Sequence, residues 1–185
     1  MMMPLLFGHG VTVTDPNFLT LPFTSSFIDE SSYAHTVNIS SATIQSGAAK
    51  IISNSGGSFS TSIPELSANW TMSFNVQLGL NISANNSYFY MTFAGISIYG
   101  DNSYIFPGVT ADIFLDATVL HRVTDAKNNT LIALERSGGD LKVWIDGVLY
   151  YNAAYTTSGH SLVFQGGSYT GSSYTLFDNV VIDRL

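Results

Sequence analysis

Apolar and polar residues alternate with a period of two along most of this chain. In "TMSFNVQL" (71–78), Met72, Phe74, Val76 and Leu78 point one way, and Thr71, Ser73, Asn75 and Gln77 the other. Successive side chains of extended backbone face opposite sides, so this is the pattern of a half-buried antiparallel strand. "SYFYMTFAGISIYG" (87–100) sets Phe89, Met91 and Phe93 against Tyr88, Tyr90 and Thr92, with Gly95 as a bulge position. Further strands are expected at 11–14, 19–23, 35–39, 49–54, 58–62, 111–116, 130–137, 161–166 and 176–185.

Clusters of Gly, Asn, Asp and Ser separate these runs, as in "NSGG" (54–57), "YGDNS" (99–103) and "SGGD" (137–140). In "LKVWIDGVLYYN" (141–152), Asp146-Gly147 divides two alternating runs. Both central residues of a type I′ turn need positive φ, so Asp-Gly at this place signals a hairpin. Asp146 is therefore expected to be a turn residue and Trp144 strand packing. Tyr150 and Tyr151 are expected to face one inward and one outward. A helical period of 3.6 is sustained nowhere, and 117–126 is the one place for a short helix or turn. About a dozen short strands at regular spacing predict an all-β, two-sheet antiparallel sandwich. Residues 1–16 read as an N-terminal arm and 17–185 as one domain.

Several stretches carry a family resemblance. Asp29 and Ser31 after the first strand, His35 and Val37, and then Trp70, Thr71 and Phe74 follow one another in a familiar order. "LIALERSGGDLKVWIDG" and the closing "LVFQGGSYTGSSYTLFDNVVIDRL" continue it. In these the chain resembles laminin-G-like, concanavalin A-like jelly rolls, in particular Ser- and Tyr-rich copies lacking Cys in bacteriophage structural proteins. The resemblance implies a jelly-roll sandwich; fold alone does not imply function.

Composition narrows the partners. Of the 185 residues only 10% are charged, against about 25% in a typical soluble domain, while 45% are hydrophobic and 13% aromatic. Solvent-facing positions must therefore hold Ser, Thr, Asn, Gly and Tyr. Such a surface suits either burial in an assembly, where charge is depleted, or contact with a sugar. A net charge of -7 with six Lys+Arg argues against nucleic acid, and no segment suggests a membrane partner. The opening "MMMPLLFGHG" lacks a positive region and is broken by Pro4 and Gly8, so it is not expected to be a signal peptide.

Catalytic patterns are weak. Glycoside hydrolysis needs two carboxylates across the scissile bond, yet Glu30, Glu65 and Glu135 are scattered. Asp112 and Asp116 share a strand face by period and read as the polar ends of an apolar strand. No Gly-x-Ser-x-Gly elbow occurs, and His9, His35, His121 and His160 lack metal-ligand spacing. The resemblance admits calcium at the sandwich rim, with Asp101 and Asp178 as candidates. The preferred reading makes Asp101-Asn102 a turn and Asp178 a strand-end residue, with no metal or other cofactor.

These readings point first to a non-enzymatic bacteriophage virion protein, a decoration, cement or tail-associated subunit exposed outside the cell. It would pack against other virion proteins and copies of itself, its arm residues Met1, Met2, Met3, Leu5, Leu6 and Phe7 reaching a neighbour. The alternative is a carbohydrate-binding, lectin-like module for surface glycans, with Tyr99, Asp101, Asn102, Tyr104, Tyr169 and Tyr174 as its site. A glycoside hydrolase ranks last.

Overall fold

The computed structural model describes residues 17–52, 56–80, 87–102, 110–124, 128–168 and 174–185. The arm, with Met1, Met2, Met3, Leu5, Leu6 and Phe7, and the loop tyrosines Tyr104 and Tyr169 lie outside the described residues. So does the strand expected at 11–14.

Fifteen strands form among the described residues. They are β1 (Asn17–Leu21), β2 (Asn38–Ser40), β3 (Ala42–Gln45), β4 (Ala48–Ile51), β5 (Gly57–Ser62), β6 (Trp70–Leu80), β7 (Ser87–Phe93) and β8 (Ile96–Asn102). There follow β9 (Ala111–Leu115), β10 (Thr118–Val123), β11 (Thr130–Ser137), β12 (Asp140–Ile145), β13 (Val148–Ala154), β14 (Ser161–Ser168) and β15 (Tyr174–Arg184). Sheet A runs β13-β12-β11-β6-β15-β4-β3, with β1 also paired to β15. Sheet B runs β10-β9-β8-β7-β14-β5-β2. Every pairing is antiparallel. The expected all-β, two-sheet antiparallel sandwich is what forms.

The alternation explains the core. Phe59, Phe89, Phe93 and Phe164 from sheet B meet Trp70, Phe74 and Phe177 from sheet A, all at most 1% exposed. Phe164 stands 4.9 Å from Phe59, 4.9 Å from Phe177 and 5.1 Å from Phe74, ring centre to ring centre. Trp70 meets Phe93 edge-on at 4.8 Å. Each such side chain gains roughly 1.5–3 kcal/mol by leaving water. Gly100 belongs to this packing, because a Cβ there would come within 2.2 Å of the Phe89 ring.

Two-residue turns fix the register. Asp146-Gly147 has φ of 49° and 79°, as a type I′ hairpin requires. Asp146 does more than turn the chain. Its carboxylate accepts the Leu131 N–H at 2.8 Å, and its own N–H donates to the Leu131 carbonyl at 2.9 Å. Asp116, between β9 and β10, treats Ser97 in the same way, at 3.3 and 2.8 Å. Two hairpins are thus latched to the next strand inward by one aspartate each.

The sheet edges differ from expectation in instructive ways. Ala94-Gly95 is a hairpin turn with φ of 50° and 81°, not a bulge, so 87–100 forms two strands. The stretch at 117–126 contributes strand β10, its β-branched Thr118, Val119 and Val123 paired along β9. On one side of the sandwich the chain crosses from β2 in sheet B to β3 in sheet A through Ser41 alone. On the other side the edges β10 and β13 each carry a bulge, at Leu120 and Tyr150. The bulge breaks the expected alternation: Tyr150 and Tyr151 both pack against the core. Tyr150 lies 4.5 Å from His121, joining the two edges.

Candidate functional site

The outer face of sheet B brings together residues far apart in the chain. Strand register lines up Val119, Phe114, Tyr99, Tyr90, Gln165 and Ser58 across β10, β9, β8, β7, β14 and β5. Each is an outward position of a strand whose inward set fills the core. Tyr90 and Tyr99 are parallel within 8° at 5.2 Å, and Tyr99 and Phe114 within 6° at 4.5 Å. Parallel rings this close must stack. Both faces of Tyr99 are therefore turned to its neighbours, and the half-buried row offers ring edges and phenol hydroxyls outward. Burial of Tyr99, with Tyr90 and Asp101 nearby, pushes its hydroxyl above the ordinary tyrosine range.

A second row runs beside the first. Arg122, Asp112, Asp101 and Tyr88 are consecutive cross-strand partners. Arg122 grips Asp112 through two parallel bonds of 2.7 and 2.9 Å. The bonds from Arg122 outweigh partial burial and hold Asp112 below the usual carboxylate range. Burial pushes Asp101 up, and its Oδ1 has no hydrogen-bond partner among the described residues. Two carboxylates with opposed shifts suggest an acid and a base. Both oxygens of Asp112, however, are engaged by Arg122, which leaves it poorly placed to attack or to activate water.

The other candidates from the sequence fall elsewhere. Asp101 and Asn102 end strand β8 in place of forming a turn, and Asn102's side chain lies outside the described residues. Tyr174 and Asp178 stand on the outer face of sheet A, across the sandwich from Tyr99 and Asp101. Lys50 sits over the Tyr174 ring at 4.1 Å. Burial pushes Asp178 up while the Asn179 N–H pulls it back in part. The two calcium candidates are thus on opposite faces, and no group of three or more His, Asp or Glu suited to a metal forms among the described residues.

One constellation was only half visible in the sequence. His35 Nδ1 lies 2.7 Å from Asp29 Oδ2, and its Nε2 lies 2.7 Å from Glu65 Oε1. Asp29 also accepts the N–H groups of Thr20, Ser31 and His35 and the Ser31 hydroxyl. With its side chain fully covered, this is a clamp tying the loop before β2 to β1 and to the 63–66 turn. Tyr90, Phe114, Gln165 and the Asp112–Arg122 pair were missed altogether. Each is an ordinary outward strand position until register makes them neighbours.

No protein-family model and no curated protein matches the chain. Solved structures do. The receptor-binding domain of botulinum neurotoxin mosaic serotype C/D, with tetraethylene glycol bound, aligns with a TM-score of 0.62 at 15% identity, over 92% of this chain and 48% of that one. The binding domain of botulinum neurotoxin DC in complex with SialylT aligns at 0.61 and 12%, over 92% and 48%. A sialidase aligns at 0.58 and 12%, over 80% of this chain and 17% of that one. The chain thus spans about half the length of the neurotoxin domains. At these identities the likeness is one of fold, a β-sandwich used by receptor-binding domains.

Proposed function

We propose that this chain is a non-enzymatic, lectin-like module that binds neutral surface glycans on the outer face of sheet B. The observation that carries this is the row Phe114, Tyr99, Tyr90 and Gln165 beside Asp101 and the Asp112–Arg122 pair. A sugar needs apolar surface for its C–H groups and a dense set of donors and acceptors for its hydroxyls. Ring edges supply the first; phenols and the Gln165 amide supply the second. The Asp112–Arg122 pair cancels its own charges and leaves Asp101 as the row's remaining carboxyl, while the chain's net charge of -7 repels anionic ligands at long range. Affinity per site is weak on so shallow a face, and display in many copies raises it. The neurotoxin domain in complex with SialylT, about half of which this chain matches, supports glycan binding in general by fold analogy, its sialyl ligand being anionic. A glycan array probed with the unmodified chain and with Tyr90→Ala and Gln165→Ala tests it. Binding that both changes weaken supports the site, and binding untouched by either removes it.

A second reading concerns where the module works. A bacteriophage decoration or tail-associated subunit is favoured by the β13 edge, which among the described residues pairs with β12 alone and carries no charged residue. Val148 and Leu149 there are 54% and 46% exposed, and Leu149 pairs with Trp144 on the outer face of sheet A. An uncharged edge invites coverage by a neighbour. Sedimentation of the unmodified chain and of Leu149→Lys tests this: self-association lost on substitution supports it, and a monomer in both cases opposes self-packing through β13.

A further inference from the structure

Sheet A carries a cavity of about 220 Å³ on its outer face, lined by Ser46, Ala48, Gln77, Asn129, Leu176 and Asp178. Separate segments build it: the β3–β4 turn, β4, β6, β15 and the lead into β11. Gln77 and Leu176 are direct cross-strand partners, and Asp178 follows two places along on the same face. The cavity therefore spans four neighbouring strands, β11, β6, β15 and β4.

Its chemistry is mixed in a specific way. Leu176 and Ala48 give an apolar surface, Gln77 and Asn129 each offer an amide donor and acceptor, and Ser46 offers a hydroxyl. Asp178 contributes acceptors alone. Its oxygens take the Asn179 N–H and side-chain amide at 2.8 Å each, which leaves each oxygen able to accept again. The neighbouring cation Lys50 is engaged with Gln45 and the Tyr174 ring. A volume equal to roughly seven waters is smaller than the ~300–1,000 Å³ of sites for larger organic ligands. One carboxylate among neutral groups is too little for calcium, which takes about 6–8 oxygens. A single sugar ring fits on size, on its apolar C–H face and on its hydroxyls, which donate and accept at once.

We propose that this cavity is a second carbohydrate site, taking the terminal neutral hexose of a glycan with two adjacent hydroxyls donating to Asp178. The proposal rests on the glycan-binding reading above and adds a site on the opposite side of the sandwich, so that one chain holds two glycan ends. Burial raises the Asp178 carboxyl, and hydroxyl donors favour its ionised form. Binding at this site therefore weakens as pH falls through the Asp178 titration, and Asp178→Asn removes that dependence.

The test is a titration of the isotope-labelled full chain with the methyl glycosides of galactose, glucose and mannose and with N-acetylglucosamine, to ~10 mM, followed by amide chemical shifts. At least one sugar is expected to shift Gln77, Asn129, Leu176 and Asp178 in a saturable way. Asp178→Asn should weaken that binding about tenfold or more, with Tyr90→Ala leaving it unchanged. Gln77→Ala serves as a second variant should Asp178→Asn lower the melting temperature. Shifts confined to Tyr90, Tyr99 and Gln165 would overturn this proposal and leave the sheet B reading standing. Shifts at the cavity that neither variant weakens would overturn it too, and no shift on either face would overturn both.

Discussion

Replacing Asp29 by alanine tests the packing logic at its most demanding point. The Asp29 side chain is 0% exposed, and it accepts three backbone N–H groups, the Ser31 hydroxyl and the His35 ring. Alanine leaves those donors facing a void. Each buried group left without a partner costs about 1–3 kcal/mol, and five donors lose their acceptor here. Some donors will recover by admitting water, so a loss of about 3–5 kcal/mol is expected from a total of roughly 5–15 kcal/mol. That corresponds to a fall in Tm of about 10 °C for a chain of this size, read by urea and thermal unfolding. Asp29→Asn, which keeps one acceptor, should lie between. The acid limb follows from the same contacts. Burial alone would raise the Asp29 carboxyl, but the N–H groups of Thr20, Ser31 and His35 and the His35 ring outweigh it and hold the group below 3.8. The folded chain thus binds fewer protons in acid than the unfolded one. Stability from this group is complete above about pH 4 and is lost as pH falls through the lowered native value. Asp29→Ala should flatten that limb. A loss below about 1 kcal/mol, with the acid limb unchanged, would show that the Asp29 contacts do not hold this part of the fold together.

Other changes probe different links. Gly100→Ala drives a methyl to within 2.2 Å of the Phe89 ring in a packed core, so stability should fall by about 1–3 kcal/mol; an unchanged urea midpoint would show that the ring yields freely. Asp146→Ala removes the acceptor for the Leu131 N–H and leaves alanine at φ 49°, for a loss of about 1–2 kcal/mol in the same assay. Asp146→Asn, which retains an acceptor and tolerates positive φ, should lose less than half of that.

Much of the fold could be read from the chain because the information is local. Phe74, Phe89 and Phe164 face inward by simple parity, and Asp146-Gly147 declares its hairpin. The later hydrogen bond from Leu131 to Asp146 was hidden, because it depends on which strand lies beside the turn. Parity also failed at Tyr150, where a bulge at a sheet edge turns two successive tyrosines inward. Strand β3 escaped notice because Ala42–Gln45 is short and runs into the Ser46-Gly47 turn. The candidate sites were the least legible part. Tyr99 and Asp101 stood out as loop-flanking residues, yet their partners Phe114, Tyr90 and Gln165 come from other strands and are joined by register. The clamp shows the same division: Asp29 and His35 are close in the chain, whereas Glu65 arrives from thirty residues away.

The proposed function requires that the molecule hold neutral glycans without cutting them. The direct measurement is to pass a panel of neutral glycans over the immobilised chain and to weigh what is recovered by mass spectrometry. At least one glycan is expected to be retarded, with Kd between ~10 μM and 1 mM, to be recovered at its original mass, and to be retarded less by Tyr90→Ala/Gln165→Ala, which leaves only the sheet A cavity. No retardation of any glycan, or recovery of shortened products, would contradict it.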